Sequence, residues 1–185
     1  INMSTIGDDL LRDASAEFGP KIEAVLVYNS NPVAVAPQSR KVVEGFARDD
    51  LFTVVLEHFM TDTADMADYV LPATTQLEHL DVHTSYGHTY ALINEPAITP
   101  LGQSKPNTQI FRELAAAMGF TDPCFSDSDE QLARLAVPAI APDALREQGW
   151  AKLPLPALPF ADGGFQTPHG KVVVDAPGLG VPDYV

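Results

Sequence analysis

Basic residues are scarce in this chain, and over one long stretch they are missing altogether. Against 25 Asp and Glu stand only 11 Lys and Arg, a formal charge of −14. A nucleic-acid footprint is basic, so no nucleic-acid partner is expected. Between Asp49 and Ser104 there is no Lys or Arg at all. A phosphate held by that region has to be met by backbone N–H groups, hydroxyls and helix N-termini rather than by cationic side chains. Cysteine is nearly absent too. Cys124 alone excludes an internal disulfide and a cysteine-ligated iron–sulfur cluster within these residues. No apolar run approaches membrane-spanning length, so no membrane contact is expected of this segment.

What is present reads as an α/β domain. An apolar fraction of 45% argues against disorder, and 185 residues suffice for one sizeable core. The organising stretch is Leu51 to Glu78. It reads as a buried strand (51–56), a polar break, a helix opening at Thr61 and a second strand at 69–71. Before it, a helix is expected at 8–18. A β-branched strand at 22–28 follows, then the turn Asn29-Ser30-Asn31-Pro32 and a helix at 38–48. Strand, helix and strand in this order form a βαβ unit, hence a Rossmann-like open, mostly parallel sheet with flanking helices. The first turn lacks G-x-G-x-x-G, which argues against a standard nicotinamide enzyme.

Residues 79–90 read as an irregular loop and 91–98 as extended. Asn107 is expected to cap a helix over 108–118, with Ile110, Phe111, Leu114 and Met118 inward. Beyond Phe120 the composition shifts: 9 of the 16 prolines fall there. Helices are expected at 127–135 and 142–148, and one strand within 165–174. Residues 122–185 are thus read as a Pro-rich, irregular connector following an α/β domain at 1–121.

In open α/β sheets ligands bind beyond the carboxyl ends of the strands. That places the candidate residues in the loops after each strand. Asn29, Ser30 and Asn31 serve equally as turn formers. Glu57 is a possible acceptor for ribose or a base edge and equally a solvated strand end. Thr61 and Thr63 read first as helix caps. Glu78, His79, Asp81, His83 and His88 crowd together as metal ligands do, but the Thr, Ser and Gly among them weaken any helix that would align them. A loop histidine touching backbone or a ligand is the commoner arrangement. No spacing defends a Ser–His–Asp or paired-carboxylate site, so no catalytic residue is assigned.

Four segments together resemble one family: VLVYNSNPVAVAP, LFTVVLEHFMTDTADMADYVLPATTQLEHLD, PLGQSKPNTQIFRELAAAMGF and FQTPHGKVVV. They look like molybdopterin-dependent oxidoreductases of the dimethyl sulfoxide reductase type, which includes formate dehydrogenases and nitrate reductases. The most specific part is T-x-T-A-x-x-A-D-x-V-L-P followed by Glu78. The resemblance implies a portion of a larger catalytic subunit that holds molybdopterin guanine dinucleotide with molybdenum or tungsten. Asn29, Ser30, Asn31, Glu57, Thr61, His79 and Asn107 would approach one dinucleotide. His79 stands where some relatives have Lys, and Asn107 where Asp is frequent. An iron–sulfur cluster is implied elsewhere in such a subunit, and the other domains and an electron-transfer subunit are the implied partners.

The chain starts at Ile-Asn-Met and ends at Pro-Asp-Tyr-Val. Both ends are expected to be cuts. Because the resemblance implies that the metal ligand, the cluster's cysteines and the domain closing over the pterins lie outside these residues, this portion alone is not expected to turn over substrate. A cytoplasmic location is favoured, or a periplasmic one if a signal precedes it. A competing expectation is a binding or interaction module that keeps the fold without the chemistry.

Overall fold

The computed structural model describes residues 2–174 and residue 178. Its centre is a parallel sheet of three strands, β1 (Ala24–Tyr28), β2 (Phe52–Glu57) and β3 (Tyr69–Pro72), in that spatial order. Ala24 pairs with Phe52 and Tyr28 with Leu56, while Val54 pairs with Tyr69 and Glu57 with Pro72. The register sets the carboxyl ends of all three strands along one edge.

Helices α1 (Ile6–Leu11), α2 (Pro32–Val35) and α3 (Ser39–Phe46) cover one face of this sheet. Val27 and Val55 point at them, and Leu10, Val33, Val42 and Phe46 fill the space between. On the opposite face Leu26, Phe52 and Tyr69 stay exposed, although parallel sheets are usually covered on both sides. Nearer the carboxyl edge that face is covered: Leu56 is buried, and Tyr28 meets Phe111 edge to face at 5.1 Å. Phe111 lies on α4 (Asn107–Met118).

A second, antiparallel sheet follows: β4 (Asp81–His83), β5 (Tyr90–Asn94) and β6 (Trp150–Lys152), in that order. Helices α5 (Asp129–Ala136) and α6 (Pro142–Gln148) close a small core around Ala91, Val137 and Leu145.

Several expectations need correction. Residues 79–90 are not all irregular, because Asp81 to His83 pair with Leu92 to Asn94. Three residues are too few to show a period. The helix expected to open at Thr61 is a single 3₁₀ turn, Ala64–Met66. Thr61 Oγ1 accepts the Ala64 N–H at 3.3 Å, and the short crossover leaves room for no more. The first helix stops at Leu11 rather than running to 18, and Arg12 is already extended. Leu114 and Met118 are exposed, and Ala115 is buried with Ile110 instead. The strand expected within 165–174 is absent among the described residues. Turn bonds from Gly170 N–H to the Thr167 carbonyl and from Thr167 Oγ1 to the Lys171 carbonyl occupy part of that stretch.

Helices α1 and α3 approach closely because glycine faces each of them. A Cβ added at Gly45 would lie 2.7 Å from Leu10 Cβ, and one at Gly7 2.8 Å from the Val42 backbone nitrogen. In an open helix Gly→Ala stabilises by about 1 kcal/mol. Here overpacking of about 1–3 kcal/mol opposes that gain. Gly45→Ala is therefore expected to lower stability in urea unfolding, and Gly7→Ala to lower it more, since backbone cannot yield as a side chain does. A stabilised Gly45→Ala protein would contradict the packing.

Candidate functional site

The loops leaving the parallel strands are fixed by side chains of the very residues that build them. Asn29 follows β1 in the left-handed region (φ 53°), which Asn tolerates better than most residues. The chain turns sharply there into α2. Asn31 then reaches the next crossover: its Oδ1 accepts the Thr63 hydroxyl at 2.6 Å and the Thr63 N–H at 3.2 Å. The same Thr63 hydroxyl accepts the Val33 N–H at 3.1 Å. Asp68 likewise pins β3 to β2, accepting the Thr53 N–H at 2.7 Å.

Past β3, Glu78 turns inward and is 7% exposed. Its carboxylate accepts the Thr75 N–H at 2.7 Å, the Thr75 hydroxyl at 2.9 Å and the Leu101 N–H at 2.7 Å. Backbone bonds run alongside, from Thr74 N–H to the Lys105 carbonyl and from Lys105 N–H to the Pro72 carbonyl. Together they bring the N-terminus of α4 to the same sheet edge.

Between these loops lies a cavity of about 530 Å³. Asn29 comes from the β1 end and His58 from the β2 end. Thr74, His79, Asp81 and His83 come from the segment after β3, and Asn107 and Thr108 from α4. Tyr28 and Phe111 form its apolar floor. His58 Nε2 donates to the Thr74 carbonyl at 2.9 Å, and Thr74 Oγ1 is 2.8 Å from His79 Nδ1. Asn107 Nδ2 donates to Asn29 Oδ1 at 3.1 Å, spanning the cavity between β1 and α4. Three buried polar atoms of the wall lack a hydrogen-bond partner: Asn107 Oδ1, Thr108 Oγ1 and His83 Nε2. Buried polar atoms are normally paired, and these unpaired ones give the wall behind the cavity a polar character.

Of the seven candidate residues, Asn29, His79 and Asn107 share this wall. Asn107 is not the helix cap expected from sequence. Pro106 occupies the cap and Asn107 is the first helical residue. The first bond of α4 runs from Ile110 N–H to the Pro106 carbonyl, so the earlier N–H groups have no intrahelical acceptor. Ser30, Asn31, Glu57 and Thr61 sit at the same edge but do not line the cavity. Asn31 is spent on Thr63, Glu57 accepts the His58 N–H at 2.8 Å, and Thr61 accepts from Ala64. Sequence reasoning missed Thr74 and Thr108, which carry no local signal. His58 had one, as the neighbour of Glu57 at a strand end. Glu78 and His88 leave the clustered group, Glu78 for backbone N–H groups and His88 toward Tyr90, whose N–H it accepts at 3.2 Å.

The hydrogen bonds to Glu78, first the Thr75 N–H, then that of Leu101 and the Thr75 hydroxyl, hold its carboxyl below the usual carboxylate range. A depressed folded-state pKa stabilises above the unfolded value, and that stabilisation disappears as pH falls through the folded one. Glu78→Gln is therefore expected to melt earlier than the native protein near neutrality. The gap should narrow as pH drops below the carboxylate range. Parallel melting curves across that range would contradict the assignment.

A family model described as molybdopterin oxidoreductase matches residues 9–117, from α1 to the end of α4. The chain is 44% identical over 179 residues to the probable oxidoreductase YoaE of Bacillus subtilis, covering 92% of this chain and 25% of that protein. It is 31% identical over 106 residues to the F420-dependent formate dehydrogenase subunit alpha of Methanocaldococcus jannaschii, covering 57% and 16%. The solved structure of acetylene hydratase from Pelobacter acetylenicus superposes with a TM-score of 0.72 at 25% identity, over 92% of this chain and 23% of that one. The chain thus spans about a quarter of YoaE and of the acetylene hydratase chain. With a parallel sheet, a polar cavity at its carboxyl edge and a match over more than half its length, the chain belongs to the molybdopterin oxidoreductase family.

Proposed function

We propose that this chain is the part of a molybdopterin oxidoreductase catalytic subunit that holds the polar end of one pterin guanine dinucleotide. The observation that carries this reading is the polar cavity at the edge where the parallel strands end, with Asn107 Oδ1 and Thr108 Oγ1 unpartnered in its wall. The residues present fit such a group. Amide and hydroxyl groups match a base and ribose, and the N–H groups at the start of α4 match a phosphate. No Lys or Arg lines the wall, in keeping with the stretch that lacks them.

When bound, the pterin-held molybdenum or tungsten supplies the two-electron redox step, in a formate-dehydrogenase-like enzyme under this reading. The chain's own residues position. Asn29 and Asn107, bonded to each other, form one polar wall for the ligand from two elements. Thr74 orients His58 and His79, and Asn31 with Thr63 keeps the β1 loop from shifting. Residues 1–121 form the dinucleotide-binding unit. Residues 122–185 lead toward a further domain of the same subunit, with α5, α6 and β6 held against β5. The other domains, and an electron-transfer subunit, are its partners.

Asn107→Leu in the full-length protein removes the amide that joins α4 to Asn29 at the cavity wall. Pterin copurifying with that variant, measured by fluorescence after oxidation, should fall roughly tenfold, the cost of about 1.4 kcal/mol of lost polar contact. Asn31→Leu should lower it less, because it loosens the loop without facing the ligand. Arg40→Ala, on the exposed side of α3, serves as the control and should keep full occupancy. Unchanged pterin in Asn107→Leu would remove the cavity from the cofactor site.

A further inference from the structure

The cavity wall is short of fixed positive charge but rich in imidazole. His58, His79 and His83 all line it, and they are joined through two shared residues. Thr74 binds His58 by its carbonyl, at 2.9 Å, and His79 by its hydroxyl, at 2.8 Å. Asp81 Oδ2 stands 4.0 Å from His79 Nε2 and 3.5 Å from His83 Nε2. A carbonyl oxygen only accepts, so the His58 proton is fixed on Nε2 and any second proton goes to Nδ1.

The neighbouring charges do not offer an alternative. Lys105 is paired with Glu113 at 2.6 Å. Arg112 on α4 is held by Asp129 of α5 at 3.0 Å, and Arg146 is held by Glu95 and by Glu130 of α5. Asp81 and the phenol of Tyr28 are the other titratable groups of the wall. Uncharged imidazoles leave this wall with one negative charge, from Asp81. Protonated, they outnumber it.

Resting on the reading of this cavity as the dinucleotide site, we infer that His58, His79 and His83 form a proton-controlled phosphate site. Imidazolium takes the place that Lys or Arg fills in other phosphate sites. Binding of a phosphate ester is then accompanied by proton uptake, because imidazole is the side chain that changes charge between about pH 5 and 8. A neutral nucleoside in the same cavity gains nothing from the proton. Asp81 sets the balance: its carboxylate offsets one imidazolium charge, and it repels the phosphate when the rings are neutral.

The experiment is titration calorimetry on the full-length protein freed of cofactor, in buffers of different ionisation enthalpy. Guanosine is one probe and GDP-mannose the other, a diphosphate diester with no ionisation of its own near neutrality. From about pH 6 to about pH 8 the diphosphate should lose roughly tenfold in affinity for each linked proton, whereas guanosine should stay level. Near pH 6.5, heats in the different buffers should report net proton uptake on diphosphate binding. The double variant His79→Gln/His83→Gln should flatten the pH dependence. Asp81→Asn, which retains all three rings, should tighten diphosphate binding near pH 8, and it decides the matter if the double variant does not fold. A level diphosphate affinity without proton uptake, in a protein where Asn107→Leu still weakens both probes, overturns the imidazole site and leaves the cavity reading intact. Probe binding untouched by Asn107→Leu overturns both.

Discussion

One buried carboxylate joins the two halves of this molecule at the place where the site forms. Glu78 lies just after the parallel sheet and draws together the backbone N–H groups of Thr75 and Leu101. That clamp adds to the backbone bonds linking Pro72 and Thr74 to Lys105, which keep the segment leaving β3 beside the loop entering α4. A carboxylate suits the role because it accepts several bonds at once, and bonds to an ionised acceptor are stronger than neutral ones. No cation is needed, and none contacts Glu78. The N–H groups do the neutralising and hold the carboxyl below the usual carboxylate range.

The site follows from the register of the sheet. Parallel strands must all end at the same side, and loops there are pinned by polar side chains: Asn31 on Thr63, and Glu78 on Thr75 and Leu101, while Asp68 on Thr53 holds the opposite, amino end of the sheet. The pinned loops act as a rigid frame, and what they leave open is the cavity between β1, β2 and α4. Such preorganisation spares a ligand the ordering of the loops on binding. The uncovered sheet face bearing Leu26, Phe52 and Tyr69 is a separate matter of packing, in a chain that spans a quarter of YoaE.

The βαβ core was legible in sequence because its signals are strong: apolar β-branched runs at 24–28 and 52–57, broken by Asn, Pro and Thr. What was illegible lay where side chains, not periodicity, decide. Thr61 and Thr63 looked like caps of one helix. In the fold one caps a 3₁₀ turn and the other serves the neighbouring loop. Asn107 looked like a cap because Asn favours that position, but Pro106 takes it, and Asn107 turns its amide to Asn29 instead. Strands β4 and β6 are three residues each and owe their existence to pairing with β5, which no local pattern announces. Of the candidate residues, Asn29, His79 and Asn107 were found by place in the topology and by likeness. Thr74 and Thr108 came to light only through the contacts between segments distant in sequence.

The account stands on the polar cavity being where the cofactor is held. Hydrogen exchange read by mass spectrometry, comparing the cofactor-free and cofactor-loaded full-length protein, tests this without altering a residue. Loading should slow exchange together at the loop after β1, at residues 74–83 and at the first turn of α4, while β5 and β6 stay unchanged. Protection confined to the apolar strip of Tyr90, Leu92 and Trp150, with those three segments exchanging as before, would contradict it.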